Sequence, residues 1–447
     1  MPQPRHTRDR TKITTPRLPR GFNEYLPAEQ IEFNRLLGII RAVYERYGFA
    51  PLDTPDIELS EVLLAKGGGE TEKQIYRFER GKNDLSLRFD LTVPLARYVV
   101  QHQGELAFPF RRYQIGKVHR AERAQAGRFR EFYQCDIDTI GSYSSVVDAE
   151  FPAIINEIFE QFDFGEFTIR INNRKVLNGF FEALGLGAVA ADVLRIVDKI
   201  EKISRDDLIA ELRDAGCNGE QVARLLEFIA LRGENSEILR RLETIGIENE
   251  QFQAGVSELR EVLAALAAMR VPEKRVRLDL TIARGLDYYT GTVYETNLND
   301  YPEVGSVCSG GRYDNLTANY SKRSLPGVGI SIGLSRLFYK LREAGIINPS
   351  QQTLAEVLVA PFGSAQLPRA LEVAHELRSV CPVITYVEDA AIGKKLKYAD
   401  KLGVRYAALV GEDEVAAGDI TLKDMQTGEN RRVSVQAARD LLQNATA

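Results

Sequence analysis

Residues 113–140 read YQIGKVHRAERAQAGRFREFYQCDIDTI, and this stretch decides the fold. Tyr113 to His119 and Arg130 to Ile140 have the character of strands, and the polar loop between them, with Ala126-Gly127, predicts a strand-loop-strand hairpin. The hairpin is also the densest chemical feature of the chain. Arg120, Glu122, Arg123, Arg128 and Arg130 precede Phe132, Tyr133, Gln134, Asp136 and Asp138. An arginine fixed on a strand offers a planar fork of donors to phosphate oxygens, and a nearby aromatic ring offers a face to a base. Nucleotide binding fits both parts; a surface hairpin laced with salt bridges fits the composition alone.

Upstream, Phe33, Leu36, Leu37, Ile40, Val43, Tyr44 and Tyr47 recur at helical spacing from Glu29 to Tyr47, and Gly48 supplies the stop. A short extended run follows through Phe49 and Leu52 to Thr54-Pro55, where proline marks a strand end. Downstream, Val276, Leu278, Leu280 and Ile282 alternate with polar residues as a half-buried strand does, and Thr292 to Thr296 reads as another. Gly327-Val328-Gly329-Ile330-Ser331-Ile332-Gly333 then leads into a helix with Leu334, Leu337, Phe338 and Leu341. The expected core is an antiparallel sheet flanked by helices.

Two segments differ from that core. From 188 to 269 helical periodicity prevails with little strand character, which predicts an inserted helical subdomain. After a polar linker at 346–355, βαβ patterning with strands at Val357 to Ala360, Val383 to Val387 and Tyr406 to Val410 predicts a separate α/β domain over 356–447. The core would occupy 16–187 and 270–345, and the basic residues 1–15 read as a flexible tail.

The 447 residues exceed one ordinary core. No stretch approaches the roughly 20 apolar residues of a membrane span, and no apolar signal core opens the chain, so a cytoplasmic location is expected. The net charge of −5 excludes bulk attraction to nucleic acid and leaves room for a local basic face. Cys135, Cys217, Cys308 and Cys381 form no CxxC pair and read as reduced thiols. His6, His102, His119 and His375 have no ligand spacing, so no protein metal site is expected.

Three further glycine-arginine clusters stand out. Arg284-Gly285-Leu286-Asp287-Tyr288-Tyr289 joins an arginine to two flat aromatic walls; a strand-end turn with core tyrosines also explains it. Gly310-Gly311-Arg312-Tyr313-Asp314 and the glycine-spaced strand leading to Arg336 bring arginine beside bare backbone, as would tight sheet-helix packing.

Taken together, these residues resemble the class II aminoacyl-tRNA synthetases. The helix, strand and Pro55 look like motif 1, the Arg120 hairpin like motif 2, and the glycine strand with Arg336 like motif 3. Within that class, the segments 284–289 and 309–314 resemble two histidine-specific signatures of the histidyl-tRNA synthetase family. Likeness extends to Leu87 through Thr92, to Gly67 through Thr71, to Lys397 through Lys401 and to Leu409 through Glu412. Ala124 departs from the proline of many members, and Asp138 replaces a glutamate of some.

The resemblance implies residue roles. Arg120 would meet the α-phosphate of ATP, Glu122 the adenine edge and Phe132 its face, and Arg336 the γ-phosphate, with Arg128 also at ATP and Mg2+ on the phosphates. Arg284 would act at the developing charge with Arg120 and Arg336. Asp90, Thr92 and Gln134 would take the ammonium of histidine, Asp138 and Tyr289 the imidazole, and Tyr288 and Tyr313 would line the pocket. It also implies tRNA(His) as partner, a homodimer through motif 1, and an anticodon-binding C-terminal domain whose Lys394, Lys395, Lys397, Lys401 and Arg405 form a basic face. Two relatives without this activity compete. One is the regulatory subunit of ATP phosphoribosyltransferase, which typically lacks the C-terminal domain and the arginine signatures. The other is an RNA-sensing domain within a kinase, and no kinase loop stands here.

Overall fold

The computed structural model describes residues 14–65, 70–123, 127–200, 203–282, 289–322 and 324–446. Most of the basic tail, Gly67 to Gly69, Ala124 and the segment with Arg284 and Tyr288 lie outside the described residues.

An eight-stranded sheet organises the first unit. Its spatial order is Ala50–Pro51, Phe110–His119, Glu131–Ile140, Gly327–Ile332, Ser306–Tyr313, Thr292–Leu298, Phe167–Asn173 and Val276–Leu278. The six inner strands pair antiparallel, and only the short edge strands join parallel. The hairpin is the longest ladder: Phe110 faces Ile140 and His119 faces Glu131, with ten consecutive pairs. Helix Ser145–Phe162 supplies much of the apolar cover, burying Phe151, Ile154, Ile155, Ile158 and Phe159. A smaller three-stranded sheet sets Asn83–Leu87 between Ile57–Leu59 and Arg77–Arg80.

The strand expected from Val276 to Ile282 stops at Leu278. Asp279 ends it: its carboxylate accepts from the backbone N–H and hydroxyl of Thr281 at 3.1 and 2.6 Å, a local turn that competes with the ladder. Between Ala190 and Ala268 the chain forms helices Ala190–Val197, Arg205–Asp214, Gly219–Ile229, Asn235–Thr244 and Glu250–Ala268. Asn235 ties them to the sheet edge, donating to the Val276 carbonyl at 2.9 Å and accepting from the Leu278 N–H at 2.8 Å.

The second unit comprises 24–38 with 348–447. Helix Pro27–Arg46 is divided by this assignment, residues 27–38 falling in the second unit and 39–46 in the first. The sheet of this unit runs Val383–Thr385, Val357–Pro361, Tyr406–Val410, Asp419–Asp424 and Asn430–Ser434, parallel over the first three strands and antiparallel beyond. Its core joins Val357, Val359, Val373, Leu377 and Leu442.

One expectation is corrected here. Lys395 does not belong to a basic face: it is buried, donates to the Pro361 carbonyl at 2.7 Å and lies 5.3 Å from the Tyr386 ring centroid. Helical spacing sends it inward one turn before Ala399, while Lys394, Lys397 and Lys401 stay exposed. Arg405 is exposed but engaged, with Asp424 at 2.8 Å.

Candidate active site

A cavity of about 400 Å³ opens on the face of the large sheet. Its lining includes Asp90, Thr92, Arg120, Glu122, Arg128, Phe132, Gln134, Asp138, Tyr289, Tyr313 and Arg336, which is every expected site residue that the structure describes. Arg284 and Tyr288 fall outside the described residues, so their placement is not stated.

The hairpin builds one wall. Arg120 sits at the end of its first strand with its guanidinium between two rings, 4.2 Å from the Phe89 centroid and 5.1 Å from that of Phe132, and Nε donates to the Phe89 carbonyl at 3.3 Å. A cation so clamped has little freedom left to lose on meeting a phosphate. Arg128 approaches Glu122 at 3.7 Å. Arg130 braces the turn from behind, its Nε donating to the Glu122 carbonyl at 3.1 Å and its backbone N–H to Gly21 at 2.8 Å. Ser335 accepts from the Tyr133 N–H at 2.9 Å, which fixes the start of helix Leu334–Glu343, and with it Arg336, against the hairpin.

The inner end is acidic. Asp138 accepts from the Tyr313 hydroxyl at 2.5 Å on one oxygen and pairs with Arg112 at 2.6 Å on the other. Arg112 is fully buried, directly across the ladder from Asp138. Burial pushes Asp138 up, against the pull of Arg112 and Tyr313. Asp90 uses one oxygen to cap helix Thr92–Gln101 through the N–H groups of Thr92 and Val93, at 3.2 and 2.9 Å. Burial raises its carboxyl too, the two N–H groups and Arg120 opposing. The glycines here are spatial necessities: a Cβ on Gly329 would fall 2.1 Å from Asp138 Oδ1, and one on Gly310 would meet the Gly329 carbonyl at 2.1 Å.

Arginine alone does not mark the site. Arg312, prominent in its glycine cluster, is a structural strut: it pairs with buried Asp148 and donates to the carbonyls of Ser142 and Ser144 at 2.8 and 2.9 Å. Its neighbour Tyr313 enters the cavity, as strand alternation requires. Phe89, Arg112, Asp136 and Ser331 belong to the site without having stood out as site residues in the sequence. Asp136 shares the face that carries Asp138 in the expected hairpin, whereas Arg112 precedes the strand expected from Tyr113 and meets Asp138 only in the longer ladder that forms; neither Phe89 nor Ser331 takes a role from the resemblance.

Comparison with known proteins gives one consistent family. The histidyl-tRNA synthetase family model matches residues 21–337, and an anticodon binding domain model matches 356–445. A histidine–tRNA ligase of Clostridium tetani is 55% identical over 438 residues, covering 97% of this chain and 99% of the relative. One from Stenotrophomonas maltophilia is 48% identical, covering 96% and 97%. The crystal structure of histidyl-tRNA synthetase from Nostoc sp. superposes with a TM-score of 0.91 at 43% identity, covering 97% of this chain and 100% of that one. A Bacillus halodurans protein described as an ATP phosphoribosyltransferase regulatory subunit/histidyl-tRNA synthetase shares the fold, with a TM-score of 0.75 at 20% identity.

Proposed function

This chain belongs to the histidyl-tRNA synthetase family, ATP-dependent ligases of histidine to tRNA, and from that premise we propose that the sheet-borne cavity is where histidyl-adenylate forms. The observation that carries the reading is the meeting, in one cavity, of a ring-clamped arginine and a deep cluster of carboxylates.

Arg120 meets the α-phosphate. Attack by the histidine carboxylate builds charge on the phosphoryl oxygens, and a cation already fixed there stabilises the transition state more than the ground state. Glu122 and the Phe132 ring hold the adenine end, Arg128 also binds the ATP, and Arg336 takes the γ-phosphate. Among the described residues no group of three or more His, Cys, Asp or Glu is arranged for a metal ion. Magnesium, which the family resemblance implies, would come with the ATP phosphates and would neutralise part of their charge. Arg284, from the sequence resemblance, joins Arg120 at the reacting phosphate.

For the amino acid, Asp90, Thr92 and Gln134 receive the ammonium group, and Asp138 with Tyr289 the imidazole, while Tyr288 and Tyr313 complete the walls. Arg112 and Tyr313 orient Asp138 before any ligand arrives. An analogue without ring nitrogens would leave these buried groups unmatched, a discrimination of roughly 10⁴ or more. The C-terminal unit holds the anticodon region of tRNA(His), supported by exposed Lys394, Lys397 and Lys401.

Two chains act together as a homodimer. Ile57, Leu59 and Phe78, all partly exposed on the small sheet, support that reading as apolar surface suited to a partner. Among the described residues no helix is long and apolar enough to cross a membrane, and the reaction belongs in the cytoplasm with its tRNA. The test is ATP–pyrophosphate exchange by the purified chain across all amino acids. Exchange only with histidine is expected, and folded protein that gives none would end the proposal. Sedimentation at micromolar concentration checks the dimer.

A further inference from the structure

A strand sends alternate side chains to one side, so Gln134, Asp136 and Asp138 share the cavity face of Glu131–Ile140. The roles above use the first and the third and leave Asp136 idle. Yet Asp136 is only 3% exposed, and among the described residues its Oδ1 has no hydrogen-bond partner. Gln134 Oε1, next along the same face, is also without one. Ser331 lies opposite Asp136 in register and organises both: it accepts from Gln134 Nε2 at 2.7 Å and hydrogen-bonds the Asp136 carboxyl. Two buried acceptors on one wall thus have no donor among the described residues. Acceptors taken out of water and left unmatched are costly, so this wall is built for something that brings N–H groups.

The charges around the pair specify what kind of group. Asp138 and Asp90 face Asp136 as like charges, and Arg112, across the ladder, is the cation that faces it. Arg112 is already engaged with Asp138 at 2.6 Å, and Arg120 acts on Asp90. The remaining titratable neighbours, Cys135, Cys308 and Tyr44, are all raised by burial and stay neutral. Among the described residues three carboxyls therefore share one fully enclosed cation, Arg112, with Arg120 serving Asp90, and the deficit is positive charge.

Resting on the reading of this cavity as the histidyl-adenylate site, we propose that Asp136 is a further histidine-binding residue, its Oδ1 and the Oε1 of Gln134 together accepting N–H donors from the ammonium end of histidine.

Proton release follows from this placement. Burial, and then the charge of Asp138 working against Arg112, pushes the Asp136 carboxyl up to about 7, so the empty cavity holds it partly protonated at neutral pH. An ammonium group beside it favours the carboxylate. The carboxyl O–H bond then breaks, its proton passes to the buffer, and no other bond changes.

The experiment is calorimetric titration of the full chain with L-histidine at pH 7 in two buffers of different ionisation enthalpy, with histidine-dependent pyrophosphate exchange measured on the same samples. The wild-type chain is expected to release a fraction of a proton on binding. Asp136→Asn should release less and weaken histidine binding by about tenfold or more, the loss expected when a charged hydrogen-bond partner becomes neutral. That weakening should shrink at pH 6, where the wild-type carboxyl is itself protonated. An Asn variant with unchanged affinity and an unchanged proton count, still showing exchange, overturns the role of Asp136 and leaves the site reading intact. Wild-type protein that releases no more protons on binding L-histidine than on binding imidazolepropionate, which lacks the ammonium group, overturns it as well, so the test does not depend on the variant folding. Wild-type exchange that does not depend on histidine overturns the site reading itself.

Discussion

Charge in the hairpin Phe110–Ile140 and charge on helix Ile392–Leu402 are held in opposite ways. In the hairpin, Arg112, Asp136 and Asp138 are enclosed on paired strands, each fixed by its register partner. On the helix, Lys394, Lys397 and Lys401 stand in water on flexible stems, and Lys395 alone turns into the core. Enclosed charge interacts strongly and is costly to leave unmatched; exposed charge is screened and weak singly. The hairpin is therefore suited to fixing one small ligand, and the helix to meeting a long polyanion through many weak interactions.

The sharpest way to break that contrast is to remove the enclosed cation. Arg112→Met leaves Asp138 buried beside the other carboxyls without its partner, and should lower stability by about 3 to 5 kcal/mol at pH 7. Chemical denaturation measures it, and adding Asp138→Asn should restore part of the loss. If Arg112→Met were near neutral, the acidic end would be wetter and less coupled than its burial indicates. Next in size is Arg120→Ala, which should reduce histidine-dependent pyrophosphate exchange by about 10² to 10³ in kcat while leaving the melting temperature nearly unchanged. A matching loss of stability would make the ring clamp structural instead.

A third prediction concerns pH. In the folded empty site the Asp136 carboxyl keeps its proton up to about pH 7, whereas an unfolded aspartate loses it near 3.9. Between those values the folded chain binds more protons, so this residue makes stability fall as pH rises through the window. Asp136→Asn does not titrate, and should raise stability at pH 8 by up to about 4 kcal/mol, a gain that fades towards pH 4. Thermal melts of ligand-free protein at the two pH values decide it. With its histidine binding weakened as well, the variant would be more stable and less able.

How far the sequence reaches follows the same division. The sheet and hairpin are legible because strand alternation and turn residues act locally, and Arg120, Gln134 and Asp138 are named by the motif they occupy. Arg112 stays hidden because its meaning lies in a partner 26 positions away across the ladder. Arg312 draws attention beside its glycines, yet its partner Asp148 lies on a different element, so its inward salt bridge has no local signal. The short strand ending at Leu278 reads as longer because Leu280 and Ile282 keep the alternation after the Asp279 turn has ended the pairing. Lys395 groups with its neighbours in the sequence because lysine composition says nothing of which way each helical position faces.

That last residue gives the smaller tests. Lys395→Met keeps the stem and removes the donor to Pro361, so it should cost about 1 to 2 kcal/mol of stability and leave the KM for tRNA unchanged. Lys397→Ala with Lys401→Ala should do the reverse. Neither side chain holds a described hydrogen bond or ion pair within the fold, so stability should move by less than about 0.5 kcal/mol. Each phosphate-binding lysine removed should lower the slope of log affinity against log salt by about one unit or slightly less, with the KM for tRNA rising several-fold at moderate salt and pyrophosphate exchange untouched. The salt slope is the decisive reading. A simple loss of folded protein would weaken charging equally at every salt concentration, whereas loss of counterion release changes the slope itself. An unchanged slope in the double variant would move tRNA binding off this helix and leave its lysines as an ordinary solvated face.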